Sequence, residues 1–367
     1  MADIIVIGGG MAGMSAAAAL SADAEVLLLE TEPGPGRHST ARSAAIFIRN
    51  YGNAPLRALN DEAVGFFEAP DLDIDAPLLT PRGELMVATE AEMPVLEDYL
   101  AGSAGLERLT GAEAEAMVPI LKPGHVAGGV FEPDARDIDV DVMLQGYLRR
   151  LKANGGTLRT NAAVTGLSRA DGLWQVTAGG ETHAAPIVVN AAGAWASEVA
   201  RMAGAQDIAI TPHRRSAAVI PAPDGQPCAD WPLFGSIAET WYAKPMGGQL
   251  MVSPADADPV PPQDAWPDDM VLAEGLHRFE TAVTVPVTRV VSSWAGLRSF
   301  APDKTPVCGF DTGAEGFLWL AGQGGHGIQT APALAGLARA LCLGETPALD
   351  AATCAALAPA RFDAAAA

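Results

Sequence analysis

The chain of 367 residues carries 44 acidic against 23 basic side chains, a formal net charge of −21. Such a surface repels a phosphate backbone, which argues against nucleic-acid binding and still permits one small anion held in a local cationic site. Hydrophobic residues make up 49% and charged residues 18%, so the chain can bury a large core, and its length suits two domains or one with a large insertion.

The run Ile4-Ile5-Val6-Ile7 is apolar and ends at glycine, as a strand buried on both faces of a parallel sheet would. Gly8-Gly9-Gly10-Met11-Ala12-Gly13 follows and fits GxGxxG. Residues 14–20 are Ala-rich and suit a helix, and Val26-Leu27-Leu28-Leu29 reads as a second buried strand ending on Glu30. The spacing has a physical reading. Gly8 permits the tight turn, Gly10 lets backbone approach a pyrophosphate, and Gly13 lets helix and strand pack closely. The helix start adds free N–H groups and partial positive charge, and Glu30 is placed to accept from a ribose hydroxyl. A glycine turn without any cofactor would look similar at this point.

Next, Gly36-Arg37-His38-Ser39-Thr40-Ala41-Arg42-Ser43-Ala44-Ala45 combines small side chains, hydroxyls and arginines, a composition suited to run along a phosphate and a flat ring. Helix is expected over 137–154, ended by Gly155-Gly156. Short strands are expected over 157–162 and 163–167, and an alternating one at Trp174-Gln175-Val176-Thr177. Ile187-Val188-Val189-Asn190 reads as a buried strand running into the close turn Ala191-Ala192-Gly193. Residues 254–267 are rich in Pro, Asp and Ala and read as a loop, placed to cover a pocket mouth. From 316 to 330 a strand, a glycine turn and a helix start recur.

No apolar run reaches the roughly 18 residues needed to cross a bilayer. The opening residues lack a basic n-region and a cleavage site, so no signal peptide is expected. The cysteines Cys228, Cys308, Cys342 and Cys354 include no CxxC, and the histidines lack metal-site spacing. A reduced cytoplasmic setting, free or peripheral to the inner membrane, is therefore the expectation, with no metal.

Ordered matches along the chain now become specific. They are 35–45, Tyr51-Gly52, the stretch 77–84, Asp137-Ile138-Asp139, the stretch 189–195, Arg214-Arg215-Ser216, Tyr242-Ala243-Lys244-Pro245, and the stretches 253–259, 294–300 and 323–330. In these the chain resembles the FAD-dependent D-amino-acid oxidase superfamily, which includes glycine and sarcosine oxidases, and within it most nearly the bacterial D-arginine dehydrogenases.

The resemblance implies an α/β chain, α+β overall. A Rossmann-like FAD-binding domain with a parallel sheet (1–50, 137–205 and 290–367) would be joined to a substrate domain on a mixed or antiparallel sheet (51–136 and 206–289). It implies FAD held by Gly8, Gly10, Ala12, Gly13, Glu30, Thr31, Ser39, Thr40, Ala41, Arg42, Ser43, Ala44, Ala45, Ile46, Val164, Gly193, Gly324, Gly325, His326, Gly327, Ile328 and Gln329. Val164 reads almost as well as a plain core residue, and His326, where relatives have tyrosine, as a structural histidine. No cysteine falls in 294–300 to attach a flavin, so FAD is expected to be non-covalent.

The implied activity is oxidative deamination of a D-amino acid to an imino acid, then by hydrolysis to a 2-oxo acid and ammonia, with hydride passing from Cα to flavin N5. The electrons would go to an external acceptor, a quinone or another carrier. The flavin carries the hard step, so the protein must orient the substrate and hold its carboxylate, which arginine does bidentately. The resemblance assigns this to Arg298 and Arg215, with Tyr51, Tyr242 and Gly325 beside them. Alternation leaves open that Arg214, not Arg215, points inward, and either arginine suits a surface ion pair. Strand alternation puts Glu84 and Met86 on one face. The resemblance gives Glu84 a cationic substrate side chain, while a solvent-facing strand glutamate or one paired with Arg82 fits as well. Ile46-Phe47-Ile48 stands where the arginine enzymes have a histidine and a threonine, which favours apolar or broad substrates over strict D-arginine. No catalytic base is evident. An amine oxidase of the glycine/sarcosine type producing peroxide, and a non-catalytic flavin protein, are the alternatives.

Overall fold

The computed structural model describes residues 2–223 and 227–366. Its first layer is a six-stranded sheet in the order Val307–Phe310, Phe317–Ala321, Ile187–Asn190, Ile4–Ile7, Val26–Leu29, Thr157–Arg159. All neighbours are parallel except the edge pair Val307–Phe310 with Phe317–Ala321. Alternation divides the central strand. Ile4 and Val6 enter the core beneath helices Met11–Leu20, Val140–Ala153 and Ala331–Leu343, while Ile5 and Ile7 meet Trp174 and Val176 on the opposite face. Those two come from a three-stranded antiparallel sheet, Val164–Ala170, Leu173–Ala178 and Glu181–Ala185, that covers this side.

The second large sheet has eight strands, in the order Ser292–Phe300, Thr211–Ile220, Gln249–Ser253, Tyr242–Met246, Leu233–Ser236, Glu84–Ala88, Gly128–Glu132, Glu107–Thr110. It is antiparallel except where Leu233–Ser236 runs parallel to Glu84–Ala88. Its back face buries Leu85, Phe234, Leu250 and Val252 against Phe279 of helix Asp269–Ala282. A small sheet of Ile46–Phe47, Arg136–Ile138 and Leu79–Pro81 closes the seam between the two large sheets.

The mixed α/β class expected from the sequence is the observed one. Some expected boundaries move: the strand expected over 157–162 ends at Arg159, and the one expected over 163–167 runs Val164–Ala170. Residues 137–138 belong to a strand, and the helix begins at Val140 because Asp139 caps it, accepting from Val142 N at 3.0 Å. The expected C-terminal FAD piece, 290–367, starts inside the eight-stranded sheet: Ser292–Phe300 pairs along its length with Thr211–Ile220, setting Gly296 opposite Arg215. Among the described residues, no helix is long and apolar enough to cross a membrane.

Candidate active site

A cavity of about 580 Å³ runs from the glycine turn at Gly8 and Gly10, past the loop 37–46, to the front of the eight-stranded sheet.

At the first end the backbone sets the shape. A Cβ on Gly13 would lie 1.9 Å from the Gly8 carbonyl oxygen, and one on Gly8 would lie 2.4 Å from that of Ala191. Strand, helix and the 191–193 turn therefore close up as the spacing requires. A Cβ on Gly10, in contrast, would meet nothing nearer than Thr40 Oγ1 at 3.5 Å, so this glycine faces open cavity. Glu30 braces the turn: its carboxylate accepts from Gly9 N and from Glu32 N, each at 2.7 Å. A carboxylate has about four acceptor positions, so capacity for a ribose hydroxyl remains. Thr40 Oγ1 accepts from Met11 N at 3.0 Å, capping the helix from 29 residues away. An elongated, backbone-lined cavity meeting a helix start and an acid fits a dinucleotide.

The loop 37–46 is fastened over the edge of the other sheet. Ser39 Oγ donates to Leu297 O at 2.6 Å, and Trp294 Nε1 donates to Arg42 O at 3.2 Å. Arg42 is less free than a phosphate ligand would be. It donates to the carbonyls of Ala265 and Ala295 and pairs with Asp264.

At the second end side chains take over. Arg298 and Arg215, on adjacent strands, both line the cavity, and Arg298 Nη1 lies 3.5 Å from the Tyr51 hydroxyl. Among the described residues neither arginine has a carboxylate within ion-pair distance, although the chain holds 44 acids. Arg214 points away and pairs with Asp258 at 3.2 Å, which resolves the alternation in favour of Arg215. Burial, and then the like charge of Arg298, hold Arg215 below its ordinary pKa. Burial alone would raise the Tyr242 hydroxyl, but the two facing guanidiniums outweigh it and hold that hydroxyl below its usual value. Two desolvated cations thus lack the anion that would relieve them. Gly325 is required here, since a Cβ would lie 2.9 Å from Arg298 Cζ.

Tyr51 is held firmly. Asn60, fully buried, donates to the carbonyls of Ile48, Arg49 and Tyr51, and Gln329 clasps Ile48 and Asn60. Glu132 accepts from Arg49 N and Asn50 Nδ2.

Glu84 and Met86 line the cavity while Leu85 and Val87 enter the opposite core, as alternation requires. Arg82 does not reach Glu84. It pairs with Asp137 at 2.7 Å, and Asp137 also holds Lys244 at 2.8 Å. Glu84 has no cationic partner among the described residues, and burial, reinforced by Glu132 and Glu239, pushes its carboxyl up to about 8. Apolar walls at Ile46, Ile48, Met86 and Leu233 lead to it.

All six expected substrate residues line one cavity, as do most of the expected FAD residues, including Ala12, Thr31, Ser43, Ala44, Ala45, Val164, Gly193, Gly324, Gly327 and Ile328. Three expected residues do not. Gly13 lies beneath the turn, against Gly8, where its role is packing. Ala41 is exposed, turned outward by the 3₁₀ turn Thr40–Arg42. His326 is buried behind Tyr51, with ring centroids 4.3 Å apart, and burial and Arg298 push it down to about 3. It is the structural histidine of the two readings. Tyr99, Trp241, Ile237 and Glu239 also line the cavity and carry no motif that marks them in sequence. Tyr99 comes from helix Met93–Ala101, and Glu239 from a turn residue with φ of 53°.

Residues 3–341 match the protein family described as FAD dependent oxidoreductase. Among curated proteins, FAD-dependent oxidoreductase domain-containing protein 1 of Xenopus laevis is 25% identical over 406 residues, covering 91% of this chain and 77% of its own length. Among solved structures, glycine oxidase from Geobacillus kaustophilus superposes with a TM-score of 0.82 at 22% identity, covering 96% of this chain and 97% of its own. L-Proline dehydrogenase from P. horikoshii gives 0.84 at 21% identity, covering 99% and 98%. The family match spans both large sheets and the cavity between them, whose glycine-lined end suits a dinucleotide; the chain belongs to the FAD-dependent oxidoreductases, and FAD is its cofactor.

Proposed function

We propose that this protein is a D-amino-acid dehydrogenase, oxidising a D-amino acid to an imino acid that water converts to a 2-oxo acid and ammonia. The observation that carries this reading is the pair of buried arginines, Arg215 and Arg298, facing a cavity beside Tyr51 and Tyr242 with no carboxylate within ion-pair distance among the described residues. A substrate carboxylate is the small anion that fits, since a planar guanidinium takes it through two parallel hydrogen bonds. Bound FAD supplies a hydride acceptor. The chain's own residues seat the carboxylate, wall off water and leave Glu84 to meet the far end of the substrate. Among the described residues no cysteine lines the cavity, which supports non-covalent FAD.

The D series is supported by the resemblance in the ordered stretches from 35 to 330. Glu84 favours cationic side chains, and Ile46, Ile48, Met86 and Leu233 favour apolar ones, so the proposed range includes D-arginine and D-lysine as well as hydrophobic D-amino acids. An external acceptor, a quinone or another carrier, would take the electrons. The second reading is an amine oxidase that reduces oxygen to peroxide, favoured by the structural likeness to a glycine oxidase.

The test is the visible spectrum of the purified protein under anaerobic conditions across a panel of D- and L-amino acids. Bleaching by D-isomers only is the expected result, and no bleaching by any D-isomer would reject the reading. Peroxide formed in air without an added acceptor would favour the oxidase.

A further inference from the structure

The segment 254–267 crosses the cavity edge, and Ala255 lines it. Its root is locked to the strand that carries Arg215. Ser253 Oγ donates to Ser216 O at 2.7 Å, and Asp256 accepts from Ser216 N at 2.6 Å and Ser216 Oγ at 2.8 Å. Every polar group of Ser216 is thereby engaged by Ser253 and Asp256. Between these contacts the chain turns through Ala255, whose φ is 53°, a conformation that a residue with a Cβ adopts only when its surroundings impose it. Pro254 is wedged against helix Asp269–Ala282: a Cβ on Gly275 would lie 2.0 Å from Pro254 Cβ, and Arg278 Nη2 donates to Pro254 O at 3.0 Å.

The outcome of this construction is the Asp256 carbonyl, which accepts from Arg215 Nε at 2.7 Å. That bond fixes the rotation of the guanidinium about its stem. With Nε committed, the Nη groups are what Arg215 presents to the cavity. The Asp256 carboxylate, only 2% exposed, does not itself touch the cavity. It works on the far side of the strand, between Ser216 and Arg214 Nε at 3.5 Å.

We propose that Asp256 is a positioning residue for the substrate carboxylate: by clasping Ser216 it sets the carbonyl that aims Arg215. The proposal rests on the reading of Arg215 as a carboxylate ligand. It gives the root of the segment 254–267 a task in substrate binding.

The test compares Asp256→Ala, Asp256→Asn and Arg215→Ala in the FAD-loaded full chain. Because a hydrogen bond to a charged group would be mis-set, Asp256→Ala should raise KM for the best D-amino acid about tenfold or more, with kcat changed less. The Kd of acetate, read from the flavin spectrum, should rise in parallel. Asp256→Asn keeps an oxygen for Ser216 N and should restore most of both. Flavin content and the thermal midpoint of the loaded protein control for simple loss of fold. Unchanged KM and acetate affinity in Asp256→Ala overturn the proposal, as does an equal fall in kcat and flavin content, or failure of Asp256→Asn to restore binding. If Arg215→Ala also leaves KM and acetate affinity unchanged, the reading of Arg215 itself fails; if only Asp256→Ala is silent, that reading stands and the positioning role does not.

Discussion

The two ends of the cavity are built by opposite means. At the dinucleotide end, selection falls on what is missing. Gly8, Gly10 and Gly13 omit side chains so that backbone can meet backbone or ligand, and the one acid there, Glu30, is spent largely on bracing its own turn. At the substrate end, selection falls on what is present: two arginines, two tyrosines and an acid drawn from segments far apart in the chain. The first end is rigid because close packing leaves no alternative. At the second, buried polar bonds such as those of Asn60 and Gln329 to Ile48 hold the segment that carries Tyr51.

The contrast can be broken most severely at the glycines. Gly13→Ala places a methyl 1.9 Å from a carbonyl oxygen, so it should cost the fold itself and yield little soluble yellow protein. Gly10→Ala meets only a hydroxyl at 3.5 Å, so it should leave the flavin-free protein folded, with an unchanged thermal midpoint, and weaken FAD binding measured by fluorescence titration. Equal behaviour of the two variants would erase the distinction between packing glycine and cofactor glycine.

At the other end, Arg298→Ala should lower kcat/KM by about a hundredfold or more, chiefly through KM, since losing one partner of a buried charged contact costs about 2–5 kcal/mol. FAD should remain bound, which absorbance at constant protein concentration would check.

Glu84→Leu should lose more activity on D-arginine than on D-leucine, and equal losses would remove Glu84 from the pocket. The pH dependence has a definite sign. Burial first, then Glu132 and Glu239, push this carboxyl up to about 8, so it is largely protonated at neutral pH. KM for a cationic substrate should therefore fall as pH rises through about 8, and KM for a neutral one should not follow it. The folded state holds this proton more tightly than the unfolded chain, so its contribution to stability is present at acid pH and is lost as pH rises from the ordinary carboxyl value of 4.5 towards 8. Glu84→Gln should flatten that slope in the thermal midpoint.

The smallest effect is expected at His326. Burial and Arg298 push it down to about 3, so it is neutral throughout ordinary assays, and His326→Phe should leave the pH profile between 5 and 9 unchanged.

What could be read from sequence follows the same division. The strands Ile4–Ile7, Val26–Leu29 and Ile187–Asn190 coincide with their apolar runs, and the glycine spacing marks a function because the physics acts within one short loop. The alternation of Glu84 and Met86 against Leu85 and Val87 was equally local. Arg298 and Tyr51 are 247 residues apart and meet only through the fold, so ordered resemblance, not spacing, singled them out. Tyr99 and Trp241 escaped notice because a tyrosine or tryptophan facing a cavity has the same sequence pattern as one facing a core. The carbonyl partners of Arg42, Ala265 and Ala295, leave no mark in sequence.

Asp137 stands between Arg82 and Lys244, and Lys244 reaches on to the carbonyl of Ala44. One carboxylate in this way rivets the small seam sheet to a strand of the eight-stranded sheet, and its lysine rivets that strand to the loop along the cavity. Prising the halves apart there would strand buried charge, at a cost of about 3–5 kcal/mol. Two residues away along the same loop, Arg42 pairs with the half-exposed Asp264, a surface contact worth little in salt water. The loop along the cavity is therefore tied down twice, once through the charges of Asp137 and Lys244 and once through the carbonyl contacts of Arg42.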